Sequence, residues 1–211
     1  MADDRATIFA GVRHALDGRA RAPRPSLPEQ PATGRPAPGR TGGEAFLDSF
    51  RKAGGVVLDD GPSLGRWLAE QGEGAVYCDP AIASALVKPL EAAGLPVCTL
   101  FPRDDPDRVF AAITPATAAI AETGTLVLTD GETRDRLAAV ATWVHVAVLD
   151  PGDVLPGLAA SLAALPDDPN VVYVTGPSQT ADVEGILIRG VHGPGVQACL
   201  PLAWRPEGDE S

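Results

Sequence analysis

Three short segments carry residues whose types and spacing could do chemistry. The first is Glu122, Thr123, Gly124 and Thr125. A tight turn at Gly124 precedes an apolar strand over 125–129. A carboxylate held on such a turn can act as a nucleophile; the competing reading is a solvated loop carboxylate. The second segment runs from Gly176, Pro177 and Ser178 through Thr180, Asp182 and Glu184. Its pattern predicts a strand over 171–175, a Gly-Pro turn, and a helix over 180–189 capped by the Ser178 or Thr180 hydroxyl. A Gly turn, hydroxyls and a helix N-terminus together would cradle a small carboxylate or phosphate. An ordinary helix start explains the same residues equally well. Asp182 and Glu184 would lie in the first turns, where they favour the helix dipole and repel a free phosphate. Two positions apart, they face different sides of a helix and do not chelate one metal. The third segment is Gly190 to Pro194. Gly190 suits the left-handed end of that helix, and His192 sits on an accessible turn beside Gly193. A ten-residue helix is about 15 Å long, so His192 and Ser178 are expected at opposite ends. Of the other histidines, His145 starts an apolar strand and His14 lies on an N-terminal helix.

The elements around these segments alternate. Strands are expected at 55–58, 75–78, 97–101, 125–129, 144–149, 171–175 and 196–202, each a short apolar run bounded by Gly, Pro or Asp. Helices are expected at 44–53, 63–70, 80–93, 105–112, 115–121, 133–142, 154–165 and 180–189. Alternation of this kind implies an α/β domain with a mostly parallel sheet covered on both faces. Before it, Ile8, Val12 and Leu16 form one stripe of a helix within 1–20. Residues 21–42 hold six prolines and read as a linker. The domain then covers 43–211.

At 211 residues, one domain with an appended arm is the expectation. The net charge of −11 argues against nucleic acid or an anionic membrane as a partner. Charge divides along the chain: residues 1–40 carry +3 and residues 41–211 carry −14. Cys78, Cys98 and Cys199 are too far apart in sequence for a local zinc or iron–sulfur motif, so no metal is expected in this chain. Sparse cysteines and an acidic start without an apolar run point to a cytoplasmic protein. The longest apolar stretch, 137–149, is too short to span a bilayer. Neither a G-x-G-x-x-G after the first strand nor a P-loop motif is present, which removes the main support for a dinucleotide or nucleoside-triphosphate site.

Residues 112–128 and 176–194 resemble the two signature blocks of the lactate-utilisation (LUD) domain family, in particular its short, single-domain C-type members. The resemblance runs over about residues 40–203. It departs from the family before His145, where Leu-Pro is usual and Ala141 and Thr142 stand here. The resemblance implies a three-layer α/β/α fold of the kind shared by ribose-phosphate isomerase, NagB-type proteins and CoA transferases. It implies a part in oxidising L-lactate to pyruvate, with iron–sulfur clusters in partner subunits and no cofactor in this chain. The residues carried over are Glu122 and His192 as catalytic candidates. Thr123, Gly124, Thr125, Gly176, Pro177, Ser178, Thr180, Asp182, Glu184 and Gly193 are carried over as ligand-binding candidates. Other readings are a free-standing transferase or ligase for a phosphorylated, CoA-linked or folate-type substrate, and a scaffold. Because ligands bind at the carboxyl ends of parallel strands, the Ser178 and Thr180 end is the favoured binding end.

Overall fold

The computed structural model describes residues 4–17, 42–165, 170–181 and 187–204. The proline-rich stretch 21–41, Asp182 and Glu184 lie outside these. The chain divides into two compact units, residues 1–31 and 32–211. In the first, helix α1 (Asp4–Leu16) leaves Ile8, Val12 and Leu16 exposed along its apolar stripe.

The second unit opens with α2 (Gly42–Lys52), β1 (Val56–Val57), α3 (Gly61–Gln71), β2 (Ala75–Cys78), α4 (Ala83–Ala92) and β3 (Val97–Cys98). It continues through β4 (Val109–Ala116), β5 (Ala118–Ile120), β6 (Thr125–Thr129), α5 (Arg136–Ala141), β7 (Val144–Leu149), β8 (Val154–Leu155) and α6 (Leu158–Ala164). Strands β9 (Val171–Val174), β10 (Gln179–Ala181), β11 (Leu187–Arg189) and β12 (Val196–Pro201) complete it.

Six strands form a wholly parallel sheet in the order β1-β12-β7-β4-β2-β3. Strands alternate their side chains between two faces, and both faces are covered. On one, Leu64 and Leu68 of α3 and Leu86 and Leu90 of α4 bury Val76, Ile113, Val146, Val148 and Leu200. Helix α3 starts where the sequence offers a capping box: Ser63 N–H donates to Asp60 Oδ1 at 2.7 Å, and Asp60 N–H donates to Ser63 Oγ at 3.0 Å. On the other face, Phe46 and Phe50 of α2 join Leu126 and Leu128 of a second, mixed sheet ordered β8-β5-β6-β9.

Two expected helices are strands. Residues 109–116 form β4 at the centre of the parallel sheet, and 118–120 form β5. The alanines of this stretch suit a helix, and Pro115 argues against a central strand. Pairing decides otherwise. The register of β4 with β2 ends at Ile113, so Pro115 lies past the end of β2, where β4 has no ladder partner on that side. Among the described residues, the expected helix over 180–189 is also replaced by strands. Gln179–Ala181 and Leu187–Arg189 pair antiparallel, Thr180 opposite Ile188. Gly185 and the β-branched Ile186 and Ile188 were the sequence signals for a hairpin.

Candidate functional site

Two of the three chemistry-bearing segments meet the C-terminal end of α2, and the third joins them through Ser178. Gly124 has φ +65°, and a Cβ there would collide with the backbone nitrogen of Phe50. Gly176 has φ +71°, and a Cβ would collide with the Ala53 carbonyl. Both turns therefore need glycine twice over, for a left-handed backbone and for close approach to the helix. Antiparallel pairing of β6 with β9 then lines up three hydroxyls. Thr125 Oγ1 lies 2.6 Å from both Thr123 Oγ1 and Thr175 Oγ1.

Ser178 joins this cluster to the histidine loop. Its N–H donates to the Pro194 carbonyl at 2.9 Å, and its carbonyl accepts from Gly190 N–H at 3.0 Å. A Cβ on Gly193 would sit 3.3 Å from Ser178 Cβ. The expectation that a helix separates Ser178 from His192 is thus overturned: a hairpin folds back and lays the two loops side by side. The same finding removes the helix-terminus cradle at Gly176 to Thr180, since no helix begins there. Pro177 is buried against Gly54, at 3.4 Å from the position of a Cβ.

His192 is exposed and lines a cavity of about 490 Å³ with Asp107, Phe110, Val140, Trp143 and Val191. The Trp143 indole is half exposed. Gly195 backs it closely enough that a Cβ would come within 2.5 Å of the ring, and Gly190 is closer still. Trp143 precedes β7, Gly195 precedes β12, and Gly54 and Gly55 precede β1. The motif loops therefore stand at the amino ends of the parallel strands, not the carboxyl ends. Glu122 is half-buried and turned elsewhere. Its N–H donates to the Pro156 carbonyl at 3.2 Å, and its Oε2 would lie 2.7 Å from a Cβ on Gly157. Gly157 caps α6 without a side chain of its own, so the carboxylate complements that helix start.

Two features escaped sequence reasoning. The first crosses three neighbouring strands inside the sheet. His145 is fully buried, with Nδ1 3.0 Å from Gln197 Oε1 and Nε2 2.9 Å from Thr114 Oγ1. Gln197 Nε2 donates to the Ala198 carbonyl at 3.1 Å, which orients its amide. Oε1 can only accept, so Nδ1 carries the imidazole proton and Nε2 accepts from Thr114. Burial lowers the His145 pKa to about 4, against a smaller opposite effect of the Gln197 bond. The second is Asp79, just after β2 and 1% exposed. Its Oδ1 accepts from Ala81 N–H at 3.1 Å, and its Oδ2 from Arg134 N–H at 3.0 Å and Tyr77 O–H at 3.4 Å. Only its position between a strand end and a proline hinted at this. Burial also pushes the Cys78 and Cys199 thiols up to about 12. Among the described residues, no group of His, Cys, Asp and Glu could hold a metal ion, and no helix is long and apolar enough to cross a membrane.

The architecture and the gathered motifs define an α/β protein with a parallel central sheet and a Gly-rich loop cluster at its amino edge. Residues 103–198 match the LUD domain, so that segment is similar to LUD-domain proteins. It is 34% identical over 97 residues to lactate utilization protein C of Halalkalibacterium halodurans, covering 41% of each chain. It is 39% identical over 90 residues to the protein of the same name from an Exiguobacterium species, covering 39% of each. The matches thus span about two fifths of these relatives' length. The fold resembles the crystal structure of a DUF162 family protein from Deinococcus radiodurans. That likeness has a TM-score of 0.53 at 19% identity, over 76% of this chain and 95% of the other.

Proposed function

We propose that this chain serves lactate utilisation in the cytoplasm as a cluster-free subunit, presenting a small carboxylate or phosphate to iron–sulfur partner subunits. The names of its relatives support the process. The observation that carries the site is the two-sided backbone clamp of Ser178 by Gly190 and Pro194. It makes one surface of the two motifs and sets Ser178 and Gly193 beside His192, with Thr123, Thr125 and Thr175 on the adjoining turn. A role without its own cluster is supported by the thiols of Cys78 and Cys199. Both are buried and hard to ionise, whereas cluster ligands are thiolates. A transferase mechanism would need Glu122 as nucleophile, and its place over the start of α6 does not favour that.

Growth on L-lactate tests the reading, with the chromosomal copy replaced by Ser178→Ala/Thr180→Ala or His192→Ala at normal protein abundance. Loss of growth in both supports a single site built from both loops. Full growth in both refutes it. Native mass spectrometry of protein from its own host should show iron only in species that contain partner subunits; iron bound to the isolated chain would refute the cluster-free role.

A further inference from the structure

The cavity of about 490 Å³ around His192 holds an aromatic face that the role proposed above leaves unused. Neighbouring strands open on one row of residues there. Ala111 of β4 and Val196 of β12 both pair with Val144 of β7, so Phe110, Trp143 and Gly195 stand side by side one position earlier. Gly195 has no side chain, and the indole lies across it. A Cβ on Gly195 would sit 2.5–2.7 Å from Cη2, Cζ2 and Cζ3 of the ring, which places that glycine under one face. Gly190 comes nearest Cζ3 and meets the ring's edge. With one face covered, the 52% exposure of Trp143 belongs to the other. Half-buried Phe110 is backed in a similar way, with Cβ positions on Gly72 and Gly74 lying 3.1 and 3.6 Å from its ring.

Charge in this cavity is one-sided. Asp107 is the one Asp, Glu, Lys or Arg in the lining. It is exposed, and its carboxylate makes no ion pair among the described residues. The ring contacts of the described residues lie elsewhere: Phe46 with Phe50, Tyr77 with Phe101, and Arg5 over Phe9. The open face of Trp143 therefore carries neither a ring nor a cation. The face of an aromatic ring is the negative end of its quadrupole, and among side chains the indole attracts cations most strongly. A carboxylate in the same cavity adds attraction of the same sense. A flat cation covers an indole more fully than a compact ammonium does and removes more apolar area from water. Val140 and Val191, both well exposed, extend the apolar wall around the ring. The volume is in the range of small-molecule sites.

We infer that this cavity binds a planar organic cation of the N-alkylated heterocycle class, its ring on the open face of Trp143 and its charge toward Asp107. The inference does not rest on the anion role proposed above. Its test needs neither lactate nor partner subunits, so the two readings fail separately. Calorimetric titration of the full chain with 1-methylnicotinamide, nicotinamide and nicotinate compares one ring carrying a positive, a neutral and a negative charge state. 1-Methylnicotinamide should bind, nicotinamide should bind about tenfold more weakly, and nicotinate more weakly still. Trp143→Leu should weaken 1-methylnicotinamide binding about tenfold or more. Trp143→Phe, which keeps an aromatic face, should retain most of the affinity, and thermal unfolding of each variant checks that it is folded. Asp107→Asn, at an exposed position, should weaken 1-methylnicotinamide about threefold and leave nicotinamide as it is. Arginine amide offers a guanidinium in place of a ring and should bind more weakly than 1-methylnicotinamide. No saturable binding of 1-methylnicotinamide, equal or tighter binding of any of the other compounds, full affinity in a folded Trp143→Leu, or an equal loss for 1-methylnicotinamide and nicotinamide in Asp107→Asn would each overturn the assignment.

Discussion

Acid should destabilise this protein through one imidazole before its carboxylates begin to titrate. His145 is enclosed between Thr114 and Gln197, and burial holds its pKa near 4 against an ordinary 6.5. With the folded value depressed, the unfolded chain takes up the proton first as pH falls. The stabilising contribution of neutral His145 is therefore complete above about pH 7 and is lost as pH drops from 6.5 toward 4. Between pH 7.5 and 5.5 the loss is about 1.4 kcal/mol. At a slope of roughly 2–3 kcal/mol per molar, the urea midpoint should fall by about 0.5–0.7 M. Urea titrations followed by circular dichroism at the two pH values measure this directly. His145→Gln keeps a hydrogen-bonding side chain that does not titrate, and should remove most of the pH-dependent difference whatever its effect on overall stability. The titration midpoint of the His145 ring by NMR gives a second reading on the unaltered chain. A ring that titrates near 6.5, or an equal acid shift in wild type and His145→Gln, would refute the argument that burial keeps this group neutral.

The remaining predictions concern the motif loops. Gly124→Ala and Gly176→Ala each place a Cβ, at a positive φ, against backbone at the C-terminal end of α2, Phe50 in the helix and Ala53 just after it. Each should cost about 2 kcal/mol or more, read as a fall in melting temperature of roughly 4–8 °C. A loss below about 0.5 kcal/mol would mean that the turns do not rest on that helix. Ser178→Ala should change stability by less than about 0.5 kcal/mol, because the contacts of Ser178 are made by its backbone. A loss near 1 kcal/mol in chemical denaturation would restore its part as a helix cap.

Some elements were legible because local chemistry leaves little choice. The strands at 75–78, 125–129 and 144–149 are short apolar runs closed off by Gly, Asp or Pro, and burial on both faces accounts for their composition. The cap of α3 follows from Asp60 and Ser63 alone. The resemblance to the LUD domain rests on contiguous motif residues, which strand pairing does not alter. The central strand β4 was not legible: its alanines and Pro115 suit other conformations, and ladders to β2 and β7, strands distant in sequence, decide its state. The same holds for residues 179–189, where a return strand and the clamp on Ser178 replace a helix that local propensity allows. The meeting of Ser178 with the His192 loop and the enclosure of His145 depend on which strands lie side by side. Long-range hydrogen bonds and burial select that order, and no window of local sequence contains both partners of such a contact.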